Sequence, residues 1–118
     1  FITDVDEAQK AWPYAHCEAF LFPSLMEGFG LPPIEAMFFG KPVIVARRTS
    51  LPEVCGNGAA YWDGFDAATM RTTVEACMVQ HTQDDTAEQR AIMQARRFTW
   101  QYAGHQYLSL YEQGLMTC

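Results

Sequence analysis

Phe22-Pro23-Ser24-Leu25-Met26-Glu27-Gly28-Phe29-Gly30-Leu31-Pro32-Pro33-Ile34-Glu35-Ala36-Met37 is the stretch from which the fold can be read. The apolar run Ala19-Phe20-Leu21-Phe22 leads into it, as in a strand covered on both faces. Gly28 and Gly30 then make a turn, and Pro32 and Pro33 mark a helix start, because proline is tolerated in a first helical turn. That helix is predicted to run to about residue 39, with Gly40 as its C-cap. Pro42-Val43-Ile44-Val45-Ala46 follows as a second strand. Strand, helix, strand in this order implies a parallel sheet with crossover helices.

Outward from this unit the pattern continues. Residues 1–3 are short and β-prone, and residues 6–16 are mostly good helix formers that Pro13 limits or kinks. Ser50-Leu51-Pro52-Glu53 fits a capping box, so a short helix is expected there. Ala59-Ala60-Tyr61 suits a third short strand, and Asp63-Gly64 a turn. The remainder is helical: Asp66 caps a helix over 66–81, a second covers 85–97, and Thr99 caps a third. Along that third helix Trp100, Ala103, Tyr107, Tyr111 and Leu115 form an aromatic stripe expected to pack into the core. Three strands are fewer than a complete doubly wound sheet. The expected fold is therefore α/β, a partial Rossmann-like parallel sheet with a helical C-terminal tail, residues 1–118 forming a single domain.

Composition narrows the function classes. The 118 residues are 49% apolar, with eight Phe, five Tyr and three Trp, a globular rather than disordered balance. The net charge of −6 disfavours a nucleic-acid partner, and no apolar run reaches the ~20 residues that span a bilayer. Arg47-Arg48 and Arg96-Arg97 read as solvated pairs. Four scattered cysteines and three isolated histidines make no zinc pattern, so no metal is expected. The cysteines read as free thiols of a reducing, cytoplasmic compartment. The chain starts at Phe1, as expected of a fragment, a processed chain or one lacking its first residues.

The chemistry concentrates between Glu27 and Glu35, which flank the glycine turn with seven residues between them. Ligands of open α/β sheets bind beyond the carboxyl ends of the strands, where Glu27 falls. Backbone N–H groups at Gly28 and Gly30 can approach a ligand closely, and the helix beginning near Pro32 favours phosphate. Glu35, in the first turn of that helix, can accept hydrogen bonds from a ribose diol. Each feature has a plainer reading: a helix-dipole carboxylate for Glu35, a simple turn for the glycines, an exposed loop carboxylate for Glu27. Together they fit a phosphorylated, hydroxyl-rich ligand.

The same run resembles the signature of the retaining glycosyltransferases of group 1, or glycosyltransferase family 4. Gly40-Lys41-Pro42-Val43-Ile44-Val45-Ala46, Ser50-Leu51-Pro52-Glu53-Val54-Cys55-Gly56, Ala59-Ala60-Tyr61-Trp62-Asp63 and Phe98-Thr99-Trp100 resemble further segments of that family, in order. The resemblance implies the GT-B fold, with this chain as the latter part of the C-terminal, donor-binding domain. It implies that Glu27 is the catalytic carboxylate, contacting donor-sugar hydroxyls and stabilising the donor in a front-face, ion-pair-like mechanism. Gly28, Phe29, Gly30 and Leu31 would line sugar and diphosphate, Glu35 would hold the ribose, and Thr49 and Ser50 are candidates for the nucleotide side. No cofactor is implied. The resemblance implies a donor that is a GDP- or UDP-linked sugar of mannose or glucose type, and an acceptor that is a glycan or lipid-linked hydroxyl in glycan, lipopolysaccharide or glycolipid biosynthesis.

In that family a phosphate-gripping Arg and Lys and an acceptor-binding domain precede the segment seen here. The isolated chain is therefore expected to be inactive, to bind donor weakly, and to cover its partial sheet by forming a homodimer. The parent is expected in the cytoplasm or peripherally at the inner face of the membrane. Competing expectations are a non-catalytic nucleotide-sugar-binding module, another GT-B enzyme such as a glycogen synthase or sugar phosphorylase, and a Rossmann-like interaction domain without a ligand.

Overall fold

The computed structural model describes residues 6–116. Asp6 opens helix α1 (Glu7–His16) with a reciprocal capping box: its carboxylate accepts from the Gln9 amide at 2.7 Å, and the Gln9 side chain accepts from the Asp6 amide at 3.0 Å. Strand β1 (Phe20–Phe22), helix α2 (Leu31–Phe38), strand β2 (Val43–Ala46) and helix α3 (Leu51–Cys55) follow. A 3₁₀ turn at Gly56–Gly58 leads to strand β3 (Ala60–Trp62), then helices α4 (Ala67–Gln83), α5 (Ala87–Ala95) and α6 (Trp100–Met116).

All strand pairing is parallel, in the order β1-β2-β3, with Leu21 opposite Ile44 and Val45 opposite Tyr61. The α/β class, the short parallel sheet and the helical C-terminal region are those the sequence leads one to expect. β2 is the centre of the core, its four residues fully buried. Met37 and Ala36 of α2, Leu51, Val54 and Cys55 of α3, and Ala91 and Ala95 of α5 pack around it. The small residues of α5 recur every fourth position, which brings its backbone close to α2 and the 3₁₀ turn. Gln94 of α5 donates to the Val54 carbonyl at 2.8 Å and ties these layers together. α2 ends in a Schellman arrangement: Gly40, at φ 70°, donates to the Met37 carbonyl and Lys41 to that of Ala36.

Several expectations are corrected. α1 covers the expected stretch, and Pro13 does not end it: the helix continues for three further residues, because only the bond to Gln9 is lost and the helix is anchored on α2. Among the described residues β1 lies at the edge of the sheet, and Leu21 is 49% exposed rather than covered. Ser50 precedes α3 but makes no side-chain cap, so the capping box is absent there. The aromatic stripe of α6 is not core: Trp100 is 92% exposed, Tyr111 66% and Leu115 78%. The β-prone residues 1–3 lie outside the described residues. Cys17, Cys55 and Cys77 are free thiols. His16 and Cys17 point to separate partners, the Trp12 and Tyr14 carbonyls.

Candidate functional site

The loop after β1 and the loop after β2 meet at the carboxyl end of the sheet, since parallel neighbours leave the sheet on the same edge. Thr49 and Ser50 of the second loop latch the first. The Glu27 amide donates to Thr49 Oγ1 at 3.2 Å. Ser50 Oγ lies within bonding distance of the Glu27 and Phe29 carbonyls, at 3.1 and 3.2 Å. Ser50 sits at φ −79° and ψ −16°, not in the extended backbone of a capping residue, so its Oγ is not set to accept from the α3 amides and the capping-box pattern fails. Thr49 holds φ 48°, an uncommon conformation for a β-branched residue that costs on the order of 1–3 kcal/mol. Phe29 is held from a third direction, edge-on to Phe98 at 5.2 Å between ring centres.

The latch leaves chemistry exposed. Among the described residues the Glu27 carboxylate accepts no hydrogen bond, and the amides of Gly28, Phe29, Gly30 and Leu31 have no partner. Gly30 is the N-cap of α2 at φ 98°, and Pro32 occupies the second position of the helix. The two prolines carry no N–H, so the donors presented at this helix end are those of Gly30 and Leu31. The arrangement is a carboxylate beside four unsatisfied amides, suited to a ligand with hydroxyls at one end and negative charge at the other.

Glu35 lies one turn further on. Counting from Leu31 it is the fifth residue of α2, and the first turn carries no acidic residue, a correction to its expected place. It faces α1. Its Oε1 accepts from Lys10 Nζ and its Oε2 from the Tyr14 hydroxyl, both at 2.8 Å. Neither Lys10 nor Tyr14 stands out in the sequence, because only the α1–α2 packing brings them to Glu35. Thus Glu27, Gly28, Phe29, Gly30, Leu31, Thr49 and Ser50 form one contiguous group, with Glu35 a helical turn away on α2. Arg47 and Arg48 are engaged elsewhere: Arg47 pairs with Asp63 at 2.6 Å and lies over the Tyr61 ring, and Arg48 lies over Phe65. Among the described residues no His, Cys, Asp and Glu cluster forms a metal site.

A glycine-rich loop beyond a parallel strand, latched by the next loop and carrying a carboxylate without a partner among the described residues, gives an α/β domain with a candidate ligand site at the carboxyl edge of its sheet. Residues 1–74 match the glycosyl transferases group 1, and the chain belongs to that family. It is 38% identical over 112 residues to the O-antigen chain mannosyltransferase B of Escherichia coli, an alignment covering 92% of this chain and 28% of that protein. It is 36% identical over 105 residues to the serotype-specific mannosyltransferase WbdA of Escherichia coli, covering 89% of the chain and 12% of WbdA. The MMP alpha-(1->4)-mannosyltransferase of Mycolicibacterium hassiacum is 32% identical over 111 residues, covering 86% of the chain and 26% of that protein. The chain thus spans little more than a quarter of these relatives at most. No solved structure matches it. Among the described residues no helix is long and apolar enough to cross a membrane.

Proposed function

We propose that this chain forms the donor-sugar and ribose part of the nucleotide-sugar pocket of a retaining glycosyltransferase. The donor is a GDP- or UDP-linked hexose, mannose being favoured by the names of the relatives. The acceptor is a hydroxyl of a growing glycan of the O-antigen type. The observation that carries this reading is the latched loop, with the free Glu27 carboxylate beside the unpaired amides of residues 28–31. As the glycosidic bond to the diphosphate breaks, negative charge grows on the leaving phosphate and positive charge on the anomeric carbon. The amides of Gly28 to Leu31 meet the first, and Glu27 orients the sugar and faces the second. Glu35 accepts from the ribose diol.

The test is transfer by the full-length protein that carries this chain, measured with GDP-mannose and UDP-glucose. Glu27→Ala and Glu27→Gln should each lower kcat by about 10²-fold or more, with a smaller change in donor affinity. Unchanged turnover in both variants would sink the catalytic role of Glu27. Intact donor binding without transfer to any acceptor would favour a binding module instead.

A further inference from the structure

We infer that Lys10 and Tyr14 of α1 are positioning residues that set the Glu35 carboxylate for ribose recognition. This rests on the reading of Glu35 as the ribose-diol acceptor. Lys10 and Tyr14 are four residues apart, so they lie on one face of α1. Each takes a different oxygen of Glu35: Lys10 Nζ on Oε1 and the Tyr14 hydroxyl on Oε2, both at 2.8 Å. A carboxylate held at both oxygens has little rotational choice left. The clamp is itself rigid on one side, because the Tyr14 ring is packed against Phe20 of β1 at 5.5 Å and Phe39 at 6.1 Å.

The clamp does not fill the carboxylate. Each ionised oxygen can accept two hydrogen bonds, so a lone pair on each remains beyond those taken by Lys10 and Tyr14. The Glu35 side chain is 34% exposed, so it is not sealed from solvent. Two parallel acceptor sites at fixed separation match the two hydroxyls of a cis-diol. A free glutamate would have to give up rotamer freedom on binding, and here that ordering is complete beforehand. Lys10 and Tyr14 would thus act on the ribose through Glu35 rather than by touching it.

The experiment compares Kd values for GDP and UDP with those for their 2′,3′-dideoxy counterparts, using the full-length protein that carries this chain. Wild type should prefer the ribose forms by about tenfold or more, since two hydrogen bonds to a charged acceptor are at stake. Glu35→Ala should bring the ratio near one. Lys10→Met and Tyr14→Phe should each cut the ratio at least threefold, while leaving the dideoxy Kd unchanged. Lys10→Arg should recover part of it. A merely structural contact would lower the melting temperature and weaken both ligands alike, without moving the ratio. If Glu35→Ala abolishes the preference but Lys10→Met and Tyr14→Phe leave it intact, the positioning role is wrong. If Glu35→Ala itself leaves the ratio unchanged, or neither diphosphate binds, the ribose reading fails first. Should Tyr14→Phe not fold, the partly exposed Lys10→Met alone decides.

Discussion

Gly28 and Gly30 stand two positions apart and answer to different constraints. Gly30 is at φ 98°, and a Cβ there would meet Leu51 Cδ2 at 2.7 Å. Gly30→Ala should therefore destabilise the chain by about 1–2 kcal/mol from the backbone alone, with the clash adding to it. At Gly28 a Cβ would meet nothing within 4 Å, so the fold tolerates a methyl group there. Gly28→Ala should leave the melting temperature nearly unchanged yet weaken donor binding, because in the proposed pocket that open space takes the ligand. Thermal unfolding and donor titration of the two variants check this contrast. A large loss of stability in Gly28→Ala would return that glycine to the turn. Both glycines were legible in the sequence as turn-formers, but the difference between them depends on Leu51, which is 21 residues away. Cys55 illustrates the same limit. The sequence says only that it is a thiol, while burial pushes its pKa up to about 11 and makes it an unreactive core residue.

The elements divide between those that close on local chemistry and those that need a neighbour. α1, α2 and α4 start or stop on signals present in the chain: Asp6 with Gln9, Gly40 after α2, and Asp66 accepting from the Thr69 amide at 2.9 Å. α5 begins on a less obvious device. Asp84 holds the Thr86 amide and hydroxyl on one oxygen and Arg90 on the other, at 2.6 to 2.9 Å. The Thr86 hydroxyl first, then Arg90 and the Thr86 amide, hold its pKa down to about 2 from 3.8. A depressed carboxylate pKa gives stability that is fully present above the unfolded value and is lost as pH falls through the folded one. The difference in melting temperature between wild type and Asp84→Asn should thus be constant above about pH 4 and vanish towards pH 2. A difference that persists below pH 2 would exclude this ionisation as its source. At α3 the expected signal misled, since Ser50 serves the Glu27 loop and not the helix. Ser50→Ala should leave α3 in place but loosen the loop, seen as raised exchange of the Glu27 and Phe29 region with little change in helix content. Loss of α3 would instead restore the capping reading.

At the scale of the molecule the chain is elongated, 56 × 32 × 31 Å, with a radius of gyration of 16.6 Å. A compact chain of this length would have about 13.5 Å. α6 is the element whose apolar residues, Trp100, Tyr107, Tyr111 and Leu115 among them, are exposed, while β2 is wholly buried. Stability is accordingly uneven. Amide hydrogen exchange in this chain should be slowest in β2 and fast throughout α6, and protection of α6 equal to that of β2 would contradict the exposure seen here. The sequence by itself determined the α/β order, the parallel strands, the glycine loop and the position of Glu27, because these rest on local periodicity, proline and glycine chemistry, and chain order. Only the tertiary structure decided the rest. It spent Ser50 on two distant carbonyls, turned the α6 stripe outward, left Leu21 of β1 half exposed, and clamped Glu35 with Lys10 and Tyr14. Those outcomes depend on which surfaces meet across 20 or more residues of chain, and hydrophobic pattern records that a face is apolar without recording what covers it.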